Sequence, residues 1–339
     1  MILTVTLNPS IDRTIELASP LERGAVQRSA AAAVEVAAGK GVNVTRVLTV
    51  AGVPSRAIVV ARDDDRFAAL LAADGVDAVH VPIDASVRTN LAITEPDGTT
   101  TKVNEPGAPL DEQAIAALLA AVRAEAVGAA WLVVAGSLPT GARPDLVVDV
   151  IAAARAARPG IRVAVDSSGA PLAAAVASGG IDLAKPNDEE LEELLGLAHG
   201  AIDGVGSAAA AAAALVGRGV GTVLLTLGGD GAILADDATV LRATPPPTTV
   251  RSTVGAGDAS LAGWLIADAR GDDAAGRLRQ AVAHGSAAAA MPGTGFPAPA
   301  DADAARVDVE PVGSSVASTD DPSTVPTLTA APVADSQEH

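Results

Sequence analysis

Short runs of aliphatic residues recur along the chain, separated by alanine- and leucine-rich stretches with helical spacing. Residues 2–7, 57–61, 131–135, 162–166, 182–184 and 222–226 each carry apolar residues at consecutive positions. Such runs predict strands buried on both faces of a parallel sheet. Helices are predicted over 42–51, 63–74, 111–126, 144–157, 188–196, 207–217, 257–270 and 273–290. Strand–helix alternation of this kind predicts an α/β fold, a mostly parallel sheet with helices on both faces.

Two regions break the rhythm. Residues 11–17 alternate apolar and polar positions, and 33–36 read as a further strand. Residues 88–94 and 99–104 flank Pro96-Asp97-Gly98, a strong hairpin turn. The segments about 11–36 and 84–105 therefore predict a second, small sheet placed to cover a site. Residues 1–310 are expected to form the folded unit. From Pro311 the chain turns Ser/Thr/Pro/Asp/Ala-rich without an apolar face, which predicts a disordered, low-complexity tail over 311–339.

Composition narrows the function classes. The 339 residues carry a net charge of -18, which repels nucleic acid and anionic lipid. No nucleic-acid or membrane partner is expected. The absence of cysteine excludes thiolate chemistry and a disulfide framework. Residues 1–7 lack a basic stretch before the apolar run and predict a strand rather than a leader; a cytoplasmic protein is expected. There is no P-loop pattern, no Gly-x-Gly-x-x-Gly after the first strand and no nucleophile elbow. The four histidines show no metal-ligand spacing.

Chemistry concentrates in glycine-rich turns. Ser252-Thr253-Val254-Gly255-Ala256-Gly257-Asp258 precedes the helix at 257–270 and reads as strand end at Val250-Arg251, tight turn and helix start. Bare amides at a helix N-terminus bind anions, and Asp258 stands beside them. The helix field is expected to lower the Asp258 pKa. Gly39-Lys40-Gly41-x-Asn43 offers an ammonium for an anion and an amide for a hydroxyl. Asn187-Asp188-Glu189-Glu190 has capping-box spacing, with Glu190 also placed for Mg²⁺ held through water. The turns at 136–141, 166–169, 185–187 and 228–231 follow strands, where open α/β sheets bind ligands. Asp12, Arg88, Asn90 and Lys102 lie in the interrupting segments. Two of them are cations in an acidic chain, suited to a phosphate.

In combination these motifs resemble the ribokinase/PfkB carbohydrate kinase family over about residues 1–310. Gly39-Lys40-Gly41-Val42-Asn43-Val44 is similar to its first signature and Thr253-Val254-Gly255-Ala256-Gly257-Asp258 to its second. Lys185-Pro186-Asn187-x-x-Glu190 and Leu227-Gly228-x-x-Gly231 fall between them in the family's order. Residues 6–12, Asn104-Glu105-Pro106-Gly107 and Gly136-Ser137-Leu138-Pro139 resemble its phosphosugar branch.

The resemblance implies a ribokinase-like three-layer α/β/α sandwich with a β-sheet lid, and MgATP-dependent phosphorylation of a sugar phosphate. Fructose 1-phosphate is the expected acceptor, with tagatose 6-phosphate and fructose 6-phosphate as alternatives. By resemblance Asp258 is the base, and Gly255, Ala256 and Gly257 supply the anion hole. Asp12, Gly39, Gly41, Asn43, Asn90 and Ser137 belong to the sugar site. Lys40, Arg88 and Lys102 are assigned to its phosphate. Lys185, Asn187, Thr226, Gly228, Gly231 and His284 are assigned to ATP, and Glu190 to Mg²⁺. A homodimer through the lid is the implied assembly. Asp63-Asp64-Asp65 stands where family members usually carry glycine, which raises a different reading, a non-catalytic sugar-phosphate sensor.

Overall fold

The apolar runs pair with one another. In the computed structural model, which describes residues 1–291, 293 and 295–313, β1 (Ile2–Thr6) lies between β4 (Ser55–Val60) and β8 (Trp131–Ala135), parallel to both. β5 (Ala78–Val81) extends the sheet beyond β4. On the other side follow β9 (Arg162–Asp166), β10 (Leu183–Ala184) and β11 (Thr222–Thr226), all parallel. Three antiparallel strands, β12 (Ala232–Asp236), β13 (Val240–Thr244) and β14 (Asp308–Pro311), finish that edge. Among the described residues the sheet has ten strands, ordered β14-β13-β12-β11-β10-β9-β8-β1-β4-β5.

Alternate residues of each central strand enter opposite cores, which is why apolar residues stand at consecutive positions. Leu3, Val5, Leu132 and Val134 pack with α3 (Glu112–Ala126), α4 (Leu146–Ala157), α5 (Gly169–Ser178), α6 (Asp188–Leu195) and α7 (Val205–Val216). Ile2, Trp131 and Val133 face α1 (Lys40–Val50), α8 (Ala256–Arg270) and α9 (Ala274–Ala289). α8 and α9 pack closely because glycine stands at the contact. A Cβ on Gly263 would come within 2.5 Å of the Gln280 carbonyl oxygen, and one on Gly285 would run into Ser260 Oγ.

The tryptophans Trp131 and Trp264 meet edge to face with centroids 5.5 Å apart. Asp268 accepts from Trp131 Nε1 at 2.9 Å and pairs with Arg162 and Arg277. Those guanidinium groups lie over the two indoles. Trp131 opens β8, so this cluster sits at the sheet's amino-terminal end.

The lid is the second sheet: β2 (Ser10–Glu16), β3 (Val34–Ala38), β6 (Arg88–Thr94) and β7 (Thr100–Asn104), ordered β3-β2-β6-β7. It grows from the carboxyl end of β1 through Leu7-Asn8-Pro9. Phe67 and Leu71 of α2 (Arg66–Ala73) pack against Ile11 and Ala37 of the lid and Ala57 and Val59 of the main sheet. Asp65 caps α2 by accepting from Phe67 N at 2.8 Å, and it also accepts from Val87 N at 3.0 Å. Asp64 pairs with Arg62, and the side chains of Asp63 and Asp64 are 92% and 70% exposed. The acidic triplet thus serves the α2 terminus and the surface.

Two sequence expectations change. Val250 and Arg251 form no strand end. Pro245-Pro246-Pro247 offers no amide donors for a ladder, and Arg251 N and Ser252 N instead donate to Ala289 O at 2.8 and 3.2 Å. The expected limit at residue 310 falls inside β14, where Pro311 stands opposite Leu241. Beyond residue 313 the expected tail lies outside the described residues. Among the described residues no helix is long and apolar enough to cross a membrane.

Candidate active site

The carboxyl ends of β10 and β11 and the N-terminus of α8 border a cleft of about 920 Å³. Gly255 caps α8 at φ 80°, a left-handed conformation that favours glycine. The turn presents the Ala256, Gly257 and Asp258 amides at the positive end of a 15-residue helix. A Cβ on Gly257 would stand 3.2 Å from Lys185 Nζ, so an ammonium group faces the same turn.

Asp258 is buried and accepts from Asn43 Nδ2 at 2.7 Å through Oδ2. Asn43 lies in the first turn of α1. Gly39 and Gly41 set that helix against β1, because a Cβ on either would press on Thr6, at 2.7 Å and 2.5 Å respectively. The signature glycines at 39–41 therefore serve close packing that carries Asn43 to Asp258.

A buried carboxylate organises the cations. Asp166, at the end of β9, is fully buried, 2.7 Å from Lys40 Nζ and 3.2 Å from Lys185 Nζ. Lys40 also lies 3.6 Å from Glu190 Oε1. Burial alone would raise the Asp166 pKa, but Lys185 and Lys40 reverse the sign and hold it below the ordinary carboxylate value. Burial alone would lower the Lys40 pKa, and Asp166 and Glu190 outweigh it, so the ammonium is held above its usual range. Lys40 thus faces protein carboxylates in this structure.

Asp258 behaves opposite to expectation. Burial, with the nearby charge of Asp166, pushes its carboxyl up to about 6. The Asn43 amide, Lys40 and Lys185 pull the other way and do not compensate. Desolvation of an enclosed carboxylate outweighs the helix field.

Asn187 and Glu190 form the capping box: Glu190 N donates to Asn187 Oδ1 at 2.7 Å and Asn187 N to Glu190 Oε2 at 3.0 Å. Asn187, Glu190, Thr226, Gly228 and Gly231 all line the cleft, as do Lys40 and Lys185. Gly231 has φ 97°, and its α-carbon lies against the Ala243 carbonyl oxygen.

The lid holds a separate polar group. Asp12 Oδ1 accepts from Ser10 Oγ at 2.9 Å and from Asn90 Nδ2 at 3.0 Å. Arg88 donates to the carbonyls of Glu105 at 2.8 Å and Asn8 at 3.2 Å, tying lid to core. Asn8 Nδ2 donates to Ser137 Oγ at 3.3 Å. Two expected site residues stand apart. Lys102 is exposed on β7. His284 is fully buried beneath α8, with Nδ1 2.9 Å from Gln280 Nε2, and it does not line the cleft. Burial lowers its pKa and keeps it neutral. Asp166 was not singled out from sequence; its signal was an aspartate closing a strand at the ligand-binding edge.

An open glycine-rich helix terminus, an adjoining carboxylate and a lidded α/β/α sandwich define a ribokinase-like carbohydrate kinase. The pfkB family carbohydrate kinase profile matches residues 5–301, and the chain belongs to that family. Membership makes it a phosphotransferase acting on a hydroxyl group, with ATP as phosphoryl donor. It is 36% identical to the 1-phosphofructokinase of Rhodobacter capsulatus, across 88% of this chain and 93% of that one. It is 34% identical to the ATP-dependent 6-phosphofructokinase isozyme 2 of Escherichia coli K12, across 86% and 94%. The crystal structure of phosphofructokinase-2 from Escherichia coli in complex with potassium superposes with a TM-score of 0.82 at 32% identity, covering 89% and 96%.

Proposed function

We propose that the protein transfers the γ-phosphoryl group of ATP to fructose 1-phosphate, giving fructose 1,6-bisphosphate. The observation that carries the chemistry is Asp258, buried on the Asn43 amide at the open N-terminus of α8. Phosphoryl transfer asks the protein chiefly for positioning and charge neutralisation. Asp258 orients the attacking hydroxyl and takes its proton. The amides of the Gly255–Gly257 turn stabilise charge on the transferred group. Lys185 reaches the same turn and neutralises the donor's phosphate tail.

Asn43, Asp12 and Asn90 hold the sugar hydroxyls, and Arg88 takes the existing phosphate by giving up one of its carbonyl partners. Mg²⁺ keeps most of its water and needs only one or two carboxylates. Among the described residues no cluster of three metal-ligating side chains exists. The site fits an ion held through water beside Glu190, whose Oε1 makes no hydrogen bond within the capping box. Such an ion would neutralise phosphate charge.

The 1-phosphofructokinase of Rhodobacter capsulatus supports fructose 1-phosphate as acceptor. The isozyme 2 relative supports a second reading with fructose 6-phosphate. The outward-facing acids at 63 and 64 remove the observation that motivated a sensor. An ADP-release assay over fructose 1-phosphate, fructose 6-phosphate, tagatose 6-phosphate, fructose and ribose tests the assignment. Preference for fructose 1-phosphate is expected; preference for another sugar overturns the acceptor, and saturable binding without turnover overturns the kinase. Val34 and Val103 expose 61% and 56% of their surface on the lid. A second copy meeting them there is the proposed dimer, which sedimentation checks.

A further inference from the structure

Asn8 stands where the chain leaves the main sheet for the lid, between β1 and β2. It is buried, and a buried amide is costly unless its donors are used. Its Nδ2 donates to two distant segments: to Pro106 O at 3.4 Å on one, and to Ser137 Oγ at 3.3 Å and Leu138 O at 3.2 Å on the other. Two hydrogens serve three acceptors, so one hydrogen is shared. On its other side the amide packs on Gly107. A Cβ at that position, which has φ 86°, would run into Asn8 Oδ1.

Both segments lead to the site. Glu105, next to Pro106, accepts from Arg88 Nη1 through its carbonyl at 2.8 Å and from Thr89 N through Oε2 at 2.7 Å. Arg88 Nη2 donates to the Asn8 carbonyl at 3.2 Å. The turn at 136–138 is fixed from below. Gly136 N donates to Asp166 O at 2.8 Å, and Ser167 Oγ donates to Gly136 O at 2.9 Å. Asn8 therefore ties the lid guanidinium to the end of β9, where Asp166 meets Lys40 and Lys185.

A free arginine side chain samples many rotamers. Held by carbonyls that are themselves fixed, it is pre-organised for an anion. Resting on the reading of Arg88 as the ligand of the acceptor's phosphate, we infer that Asn8 is a positioning residue of the acceptor site: its amide pins the 105–106 segment to the 136–138 turn and so holds Arg88 in place. Asn8 acts through Arg88, not by touching the sugar.

The test is a cycle of Asn8→Ala, Arg88→Ala and the double variant, assayed with MgATP and the sugar phosphate that the wild type prefers. Asn8→Ala leaves the carbonyl that Arg88 uses. It is expected to raise KM for the sugar phosphate roughly tenfold, the worth of one to two neutral hydrogen bonds, with kcat and KM for ATP within about twofold of wild type. In the Arg88→Ala background it should add nothing, because the two residues act as one unit. Asn8→Ser, which keeps one donor, serves if the alanine variant does not fold, with the same direction expected. An unchanged KM, a fall in kcat alone, or an additive loss in the double variant overturns the inference while leaving the kinase standing. A normal KM for Arg88→Ala overturns the phosphate assignment, and absent turnover by the wild type overturns the kinase; either takes this inference with it.

Discussion

Replacing Asp166 by asparagine removes one charge from between two cations while keeping the shape. Lys185 is 4% exposed and has Asp166 as its ion-pair partner at 3.2 Å. Lys40 is 34% exposed and retains Glu190 at 3.6 Å. The cost therefore falls mainly on Lys185, left as a buried ammonium with no carboxylate within ion-pair distance among the described residues. Breaking a buried pair from one side costs about 3–5 kcal/mol, against a total stability of about 5–15 kcal/mol. Because the folded pKa of Asp166 is depressed, its contribution is present above the unfolded value and lost as pH falls through the folded one. Urea unfolding of Asp166→Asn at pH 7.5 should show that loss as a lower midpoint with unchanged slope. A second readout separates electrostatics from folding. Asp166 contributes to the raised pKa of Asp258. Its neutralisation should move the acid limb of kcat/KM to lower pH. A loss below about 1 kcal/mol, the range of an exposed pair, would refute the burial argument. An acid limb that stays or moves upward would refute the coupling.

Further outcomes follow from the same site. Wild-type kcat/KM should fall about tenfold per unit below pH 6, since only ionised Asp258 accepts a proton; a flat profile to pH 5 would remove it as base. Asp258→Asn should cut kcat by about 10²–10⁴ with sugar-phosphate binding retained in calorimetry. Asn43→Ala removes the hydrogen bond that favours the ionised carboxylate and should shift the acid limb upward, opposite to Asp166→Asn. Arg88→Ala should raise KM for the phosphosugar about ten- to a hundred-fold, the worth of a charge-assisted contact; an unchanged KM would leave it only its carbonyl partners. Gly231→Ala forces a Cβ onto the Ala243 carbonyl at positive φ and should cost at least about 1–3 kcal/mol in urea unfolding.

Much of this was legible because it is local. A strand, a glycine turn and a helix are neighbours in sequence, so 39–43, 187–190 and 253–258 could be read as turns that reach one cleft. Alternating segments announced the lid. What stayed hidden joins distant residues. Asp166 meets Lys40 across 126 positions and Lys185 across a strand, and no spacing rule reports such a contact. The Asp258 pKa was misjudged for a related reason: the helix field is visible in sequence, whereas burial is not. His284 was misplaced because its face of α9 is decided by Gly263 opposite it. The strands at 240–244 and 308–311 are short pieces at one side of the sheet, held by pairing rather than by their own pattern.

The paired tryptophans give the molecule a fixed optical origin. There is no tyrosine in the chain, and neither lid segment contains an aromatic residue. Ultraviolet emission therefore arises where α8 rests on β8, some 9 Å along the helix from Asp258 at about 1.5 Å per residue. Lid movement should be dark, and loss of emission should mark separation of α8 from the sheet. A single tryptophan introduced on the outer lid would add a second colour of information. Closure over a sugar and melting of the body could then be watched separately in one cuvette.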